Sequence, residues 1–352
     1  MECDVEMIKF GTLDFGEEER NAIIDLVNVK EPQLTLGKYC RQFEVEVARW
    51  AGVKHAIFVN SGTSAVLAAL SAYGQSVDGA SKLIVPALTY CATWNALAYS
   101  ELFMKLKDVN DGFVVDTEEE CLGVDLLGKP CHSNMVVEDA TEAMGGTFNG
   151  KKLGTFGLMG CYSFHVAHLT NTVEGGMVIT DHNGLAEVCR QIRDNGRLCT
   201  CVPCGLKVDG KCRKGRVSGN YERRYEYYYN GLNLKPTEFN GVLGCVKMRR
   251  IDLIADRRNA IFKIYADAFG DFVEKRGEKN VSIAYPVKVK NPQEAVVKLE
   301  NVGIETRGMF PPFNTDFKNA KRISESYILL PVHQDLTDKE VGYVVEKVKE
   351  LK

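Results

Sequence analysis

Residues Val136 to Thr180 read VVEDATEAMGGTFNGKKLGTFGLMGCYSFHVAHLTNTVEGGMVIT, and the rest of the chain is placed from this stretch. A short apolar run ends on two carboxylates, Glu138 and Asp139. A Gly-rich turn leads on to Ser163-Phe164-His165-Val166-Ala167-His168. Glu174-Gly175-Gly176 then opens a second apolar run, Met177 to Thr180. Open α/β sheets bind ligands at the carboxyl ends of their strands. A carboxylate at the end of a buried strand therefore marks the floor of a site.

Upstream, His55 to Val59 predicts a strand, and Asn60-Ser61-Gly62-Thr63-Ser64-Ala65 opens a long helix rich in Ala and Leu. A strand, a turn of small residues and a helix N-terminus make a phosphate cradle, because free N–H groups and the helix dipole both favour a dianion. The same residues also suit a plain helix cap by Ser61 or Thr63. Leu83 to Val85 predicts the next strand, which runs into Pro86-Ala87-Leu88-Thr89-Tyr90-Cys91-Ala92-Thr93-Trp94-Asn95. Tyr90 offers a flat face for stacking on a heterocycle, or packs as a core tyrosine. Residues 17 to 53 predict helix interrupted at Pro32, and residues 236 to 270 predict one long helix with an Arg-rich middle.

The chain has 352 residues, of which 45% are hydrophobic and 26% charged, the composition of an ordinary soluble globular protein. Its net charge of −3 gives no reason to expect nucleic acid or membrane as partner. No apolar run reaches the ~18 residues that span a bilayer, and MECDVEMIKF lacks a signal-peptide core, so a cytoplasmic protein is expected. Four of the twelve cysteines fall between Cys199 and Cys212. Without an export signal, clustered cysteines point to metal or redox chemistry rather than to disulfides.

These motifs resemble those of the DegT-type sugar aminotransferases, pyridoxal-phosphate (PLP) enzymes acting on nucleotide-linked keto sugars. The family's order is E-D-A, then G-x-x-G-x-x-G, then S-F-x-x-[ST]-K, then G-E-G-G. The resemblance covers nearly the whole chain. It implies PLP-dependent transferase fold type I, an α/β architecture with a large domain (1–235) around a mostly parallel central sheet. A linking helix and small C-terminal α/β domain (236–352) follow. It also implies cofactor contacts from Gly62, Thr63, Ser64 and Ser163 to the phosphate, Tyr90 stacked on the pyridine ring, and Asp139 on its nitrogen. Asn233, in Gly231-Leu232-Asn233-Leu234-Lys235-Pro236-Thr237-Glu238, matches the family's Asn that reaches the neighbouring subunit's phosphate, which implies a homodimer with shared sites. Arg307 and His165 fall where the family lines its sugar entrance.

One departure decides the reaction. The family's PLP-bearing Lys is His168 here, and no Lys occurs from Leu153 to Leu206. Imidazole forms no stable Schiff base but serves as a general base near neutral pH. The pattern is similar to that of the sugar 3-dehydrases that use non-covalent pyridoxamine phosphate (PMP). It implies C3 dehydration of a nucleotide-linked 4-keto-6-deoxyhexose with His168 as base; Glu142 resembles the acidic residue of the iron–sulfur 3-dehydrases and is either a second catalytic group or a solvated helix charge. An aminotransferase whose Lys has been replaced, and a catalytically silent ligand-binding homologue, are the alternatives. One branch of these dehydrases regenerates PMP from glutamate. The other uses an iron–sulfur cluster and a reductase partner, and Cys199, Cys201, Cys204 and Cys212 resemble its cysteine segment. That branch takes a further ligand where this chain has Thr141, so Zn and free loop thiols stay open for the four cysteines.

Overall fold

The computed structural model describes residues 7–77, 82–100, 102–201, 217–218, 221–222, 225–270 and 279–351. The chain opens with α1 (Glu17–Val27), α2 (Lys38–Ala51), β1 (His55–Val59), α3 (Gly62–Gly74), β2 (Lys82–Pro86), α4 (Cys91–Tyr99), β3 (Phe103–Lys107) and β4 (Cys121–Val124). It continues through β5 (Met135–Asp139), the hairpin of β6 (Thr147–Phe148) and β7 (Lys151–Lys152), β8 (Met159–Ser163), β9 (Gly176–Thr180) and α5 (Asn183–Arg193). A second hairpin, β10 (Val217–Ser218) and β11 (Tyr221–Glu222), precedes α6 (Glu238–Met248) and α7 (Ile251–Phe269). The last elements are β12 (Ala284–Lys288), α8 (Pro292–Asn301), β13 (Arg307–Gly308), α9 (Lys318–Ser324), β14 (Tyr327–Pro331) and α10 (Asp338–Lys349).

Seven strands form one sheet in the order β1-β9-β8-β5-β4-β2-β3. Every neighbouring pair is parallel except those of β9, which runs antiparallel to both β1 and β8. The central strands β4, β5, β8 and β9 are buried along their whole length because helices cover both faces. Alternate side chains divide between the faces. Ile57 and Val59 of β1 join the layer of α3 and α5 with Leu70, Val188 and Ile192. Ala56 and Phe58 join the opposite layer with Phe43 and Val47 of α2 and Ile254 of α7. Helix α2 presents Cys40, Phe43, Val47, Ala48 and Ala51 as one buried stripe, and Gly52 ends it at φ +78°.

The long helix expected over 236–270 is two helices. The break at Arg249 and Arg250 turns Lys247 and Arg250 onto the same two carboxylates. Lys247 Nζ lies 3.0 Å from Asp14 Oδ2, and Arg250 reaches Asp14 at 3.1 Å and Glu19 at 2.7 Å. Helix α6 packs against α1 and α2, and its buried Glu238 accepts from the N–H groups of Gly37, Tyr39 and Cys40, each at 2.8 Å. An anion on the open N–H groups of α2 satisfies both the donors and the dipole. A three-stranded sheet, β12-β14-β13, carries α8 and α10 with its own apolar cluster of Val287, Leu299, Leu330 and Val344. Among the described residues no helix is long and apolar enough to cross a membrane.

Candidate active site

The chemistry-bearing residues collect along one edge of the seven-stranded sheet. Strands β1, β2, β5 and β8 end there, and antiparallel β9 begins there. In register, Gly176 of β9 sits between Val59 and Ser163. A Cβ at Gly176 would lie 2.1 Å from the Ser61 carbonyl, and one at Gly62 would lie 2.6 Å from Ser163 Cβ. The Gly pair after Glu174 thus lets the start of α3 close against Ser163. Ser61 caps α3 by accepting from Ser64 N at 3.0 Å. The N–H groups of Gly62 and Thr63 are the first of the helix and have no intrahelical acceptor. Ser64 donates its hydroxyl to Asn60 Oδ1 at 2.6 Å, which braces the cradle.

Below the cradle lie four carboxyl groups with different duties. Glu138 is fully buried. Its two oxygens accept from Gly154 N at 2.6 Å, Phe156 N at 2.6 Å and Gly157 N at 3.0 Å, which fixes the Gly-rich turn. Asp125 faces Glu138, accepts from Cys131 N at 2.8 Å, and has its pKa pushed well up by burial and then by the Glu138 charge. Burial and the neighbouring Glu138 thus both disfavour the charged form of Asp125, whose Oδ2 is buried without a hydrogen-bond partner. A raised folded pKa means that the folded state holds its proton more tightly than the unfolded chain, so this site loses stability as pH rises above the ordinary carboxylate range. Asp125→Asn keeps an acceptor for Cys131 and a donor for Glu138. Its thermal stability, followed from about pH 5 to pH 9, is expected to fall less steeply than the parent's and to exceed it at the alkaline end by about 1 kcal/mol.

Asp139 points into the site with both oxygens held. Thr93 Oγ1 donates to Oδ2 at 2.8 Å; Thr141 donates to Oδ1 from its hydroxyl at 2.7 Å and from its N–H at 3.2 Å. Burial raises the Asp139 pKa, and these three donors oppose that shift. Glu142 accepts from Leu127 N at 3.1 Å, and burial pushes its pKa up to about 7. Leu127 is a buried residue at φ +53°, so this single hydrogen bond braces a strained turn on the site floor.

His168 stands in the tight turn after β8, with its N–H donating to the His165 carbonyl at 3.0 Å. The two imidazole rings are 6.0 Å apart, nearly perpendicular, and His165 is the exposed one. His168 Nδ1 is buried and has no hydrogen-bond partner. Burial, then His165 and Arg258, lower its pKa to about 3, against the near-neutral base expected from its residue type. It is a neutral imidazole at every ordinary pH.

Tyr90 is 55% exposed at the mouth of the site, with its ring 5.7 Å from Phe310. Asn233 is exposed; the adjacent Leu234 carbonyl accepts from Asn60 N at 2.9 Å and so sets this loop beside the cradle. Arg307 pairs with Glu305 at 2.5 Å and covers the Phe10 ring at 5.2 Å, which engages it with the N-terminal segment. Cys199 and Cys201 are half-buried, and Cys204 and Cys212 lie outside the described residues. Among the described residues, no three His, Cys, Asp or Glu side chains gather where they could hold a metal ion.

Three groups were not singled out by sequence reasoning. Thr93 lies in the first turn of α4, and its hydroxyl is 3.2 Å from that of Thr89, which precedes the helix. Phe310 reaches Tyr90 from the C-terminal sheet. Arg258 reaches the His168 turn from α7. The last two are long-range contacts with no local signal.

A mostly parallel seven-stranded sheet with an antiparallel β9, and ligand-type residues along the edge where the parallel strands end, is the fold of the PLP-dependent transferases of type I. Residues 14–119 and 129–349 match the DegT/DnrJ/EryC1/StrS aminotransferase family, and the chain belongs to it. It is 26% identical to a GDP-4-keto-6-deoxy-D-mannose 3-dehydratase of Escherichia coli, over 94% of this chain and 96% of that one. It is also 26% identical to a GDP-perosamine synthase of Caulobacter vibrioides, over 88% and 89% of the two chains. The solved structure of an E. coli GDP-4-keto-6-deoxy-D-mannose-3-dehydratase with bound hydrated PLP superposes with a TM-score of 0.82 at 25% identity, covering 99% of this chain and all of that one.

Proposed function

We infer that the protein is a PMP-dependent 3-dehydratase of a nucleotide-linked 4-keto-6-deoxyhexose. The carrying observation is His168: a neutral imidazole with a buried, unpartnered Nδ1 stands where the family places its Lys, and no Lys is near in sequence.

The residues present fit a non-covalent PMP or PLP. The first N–H groups of α3 and the close approach of Gly62 to Ser163 suit a phosphate. Asp139, held by Thr93 and Thr141, suits a protonated pyridine nitrogen, and Tyr90 offers its ring for stacking. When bound, the cofactor supplies an electron sink through its protonated ring. His168 takes the proton from the cofactor's C4′ carbon through its ring nitrogen. Glu142, with one oxygen on Leu127 N–H, keeps the other available to protonate the departing C3 hydroxyl. Ser163, Gly62 and Thr63 hold the phosphate end, and Asn233 serves the site of a second copy of this chain. His165 lines the sugar site. Residues 1–235 form the cofactor-binding domain and 236–352 the linking helices and small domain.

Glutamate is the reductant in this reading, and each deoxygenated sugar leaves with one 2-oxoglutarate and one ammonia. The test is incubation of the purified protein with PMP, glutamate and GDP-4-keto-6-deoxymannose, with dTDP- and CDP-linked analogues in parallel. A 3-deoxy sugar together with 2-oxoglutarate supports the reading. An amino sugar as product would replace it with transamination. Dehydration that needs iron and an added reductase would move the protein to the iron–sulfur branch.

The cradle gives a binding prediction. In Gly62→Ala the new Cβ meets Ser163 where the phosphate end must close. PMP affinity, measured by fluorescence titration, is expected to fall about tenfold or more, about 1.4 kcal/mol.

A further inference from the structure

Arg258 is 1% exposed on α7 and, among the described residues, forms no ion pair; the carboxylates of Asp335 and Asp14 act on it only from beyond contact distance. All of its partners are neutral oxygens. Nη1 donates to the Ala167 carbonyl at 3.1 Å and the Ser282 carbonyl at 3.3 Å. Nη2 donates to the His168 carbonyl at 2.9 Å and to Gln334 Oε1 at 3.1 Å, and Nε donates to Gln334 Oε1 at 3.3 Å. Burial lowers its pKa only to about 10, so the guanidinium stays charged.

A buried charge without an ion pair is costly, and packing alone would be served better by Leu or Met. What a guanidinium adds is a planar fork of donors fixed in direction. Here the fork grips two consecutive carbonyls of the turn that carries the His168 ring. From the other side, Gly11 of the N-terminal segment presses on that turn, and a Cβ there would meet Ala167 Cα at 3.3 Å. Ser282 leads into β12 and Gln334 follows β14, so the same guanidinium ties the turn to the three-stranded sheet.

We propose that Arg258 is the positioning residue for His168, aiming its imidazole by holding the carbonyls of Ala167 and His168 against Ser282 and Gln334. The proposal deepens the dehydratase reading and rests on His168 being its base. Arg258 touches neither the cradle nor Asp139, so it acts on the aim of the base and leaves the hold on the cofactor unchanged.

The test compares the parent, His168→Asn, Arg258→Lys and Arg258→Gln as full chains, each checked for a cooperative thermal melt. The first readout is the histidine ring spectrum of the protein without cofactor, with the His168 signal identified by its loss in His168→Asn. Arg258→Lys is expected to shift or broaden that signal while those of His55, His132 and His182 stay in place. The second readout is PMP affinity beside the uptake of solvent deuterium at the cofactor's C4′ in the presence of PMP and GDP-4-keto-6-deoxymannose. Affinity is expected to hold within about twofold while deuterium uptake falls about 10- to 100-fold, the cost of a base misplaced by about 1 Å. An unmoved His168 signal, or affinity and uptake falling by one common factor, overturns the proposal. Equal deuterium uptake in the parent and His168→Asn would instead sink the base assignment, and the unliganded spectrum would still decide the role of Arg258.

Discussion

His168→Asn is expected to reduce sugar dehydration about 10²- to 10⁴-fold, the range a positioned general base contributes. Asparagine is close in size, so the turn held by Arg258 and Gly11 keeps its shape, but its amide nitrogen has no basic lone pair like that of a neutral imidazole. Melting temperature and PMP affinity are therefore expected to stay near the parent's, which separates lost chemistry from lost structure. The measurement is single-turnover dehydration beside a PMP titration. A variant that keeps more than about a tenth of the parent rate would show that another group moves the proton.

Glu138→Ala carries the largest expected effect on stability. It strands the N–H groups of Gly154, Phe156 and Gly157 in a dry interior and leaves Asp125 without the carboxylate it faces. Each stranded donor costs about 1–3 kcal/mol, and partial relaxation of the turn brings the expected total to about 3–5 kcal/mol. The same turn backs the sheet edge at Asp139, so cofactor affinity is expected to fall with it. Glu138→Gln is the informative companion. Its amide oxygen can accept from part of the turn while its NH₂ points a donor at donors, so it should fall between the parent and Ala in urea unfolding. Equal stability for all three would show that the turn is fixed by packing alone.

The two neighbouring acids differ in what the chain shows about them. Glu138 and Asp139 alternate across β5, so they leave opposite faces of one strand. That much follows from the string VVED. Which one serves the turn and which one serves the site depends on Gly154 to Gly157 returning beneath the strand and on Thr93 arriving from α4. Both contacts join residues well apart in the chain, 16 positions for Gly154 and 46 for Thr93. Ser64 joins the two levels: its place at the head of α3 is local, while its hydroxyl donates to Asn60 Oδ1 four residues back.

By itself the sequence determined the elements whose causes are local. Apolar runs became the buried strands β1, β2, β5 and β9. Small residues after Asn60 opened the N-terminus of α3. Only the tertiary structure decided what those elements do to one another. It placed Gly176 between Val59 and Ser163 so that the cradle closes, broke the expected long helix to bring Lys247 and Arg250 onto Asp14 and Glu19, and set Arg258 under the His168 turn. It also lowered the pKa of His168 to about 3 and raised that of Glu142 to about 7 through burial. Periodicity, caps and turns are written in neighbouring residues. Desolvation and charge depend on which distant parts of the chain exclude water from a group, and that is settled only when the chain has folded.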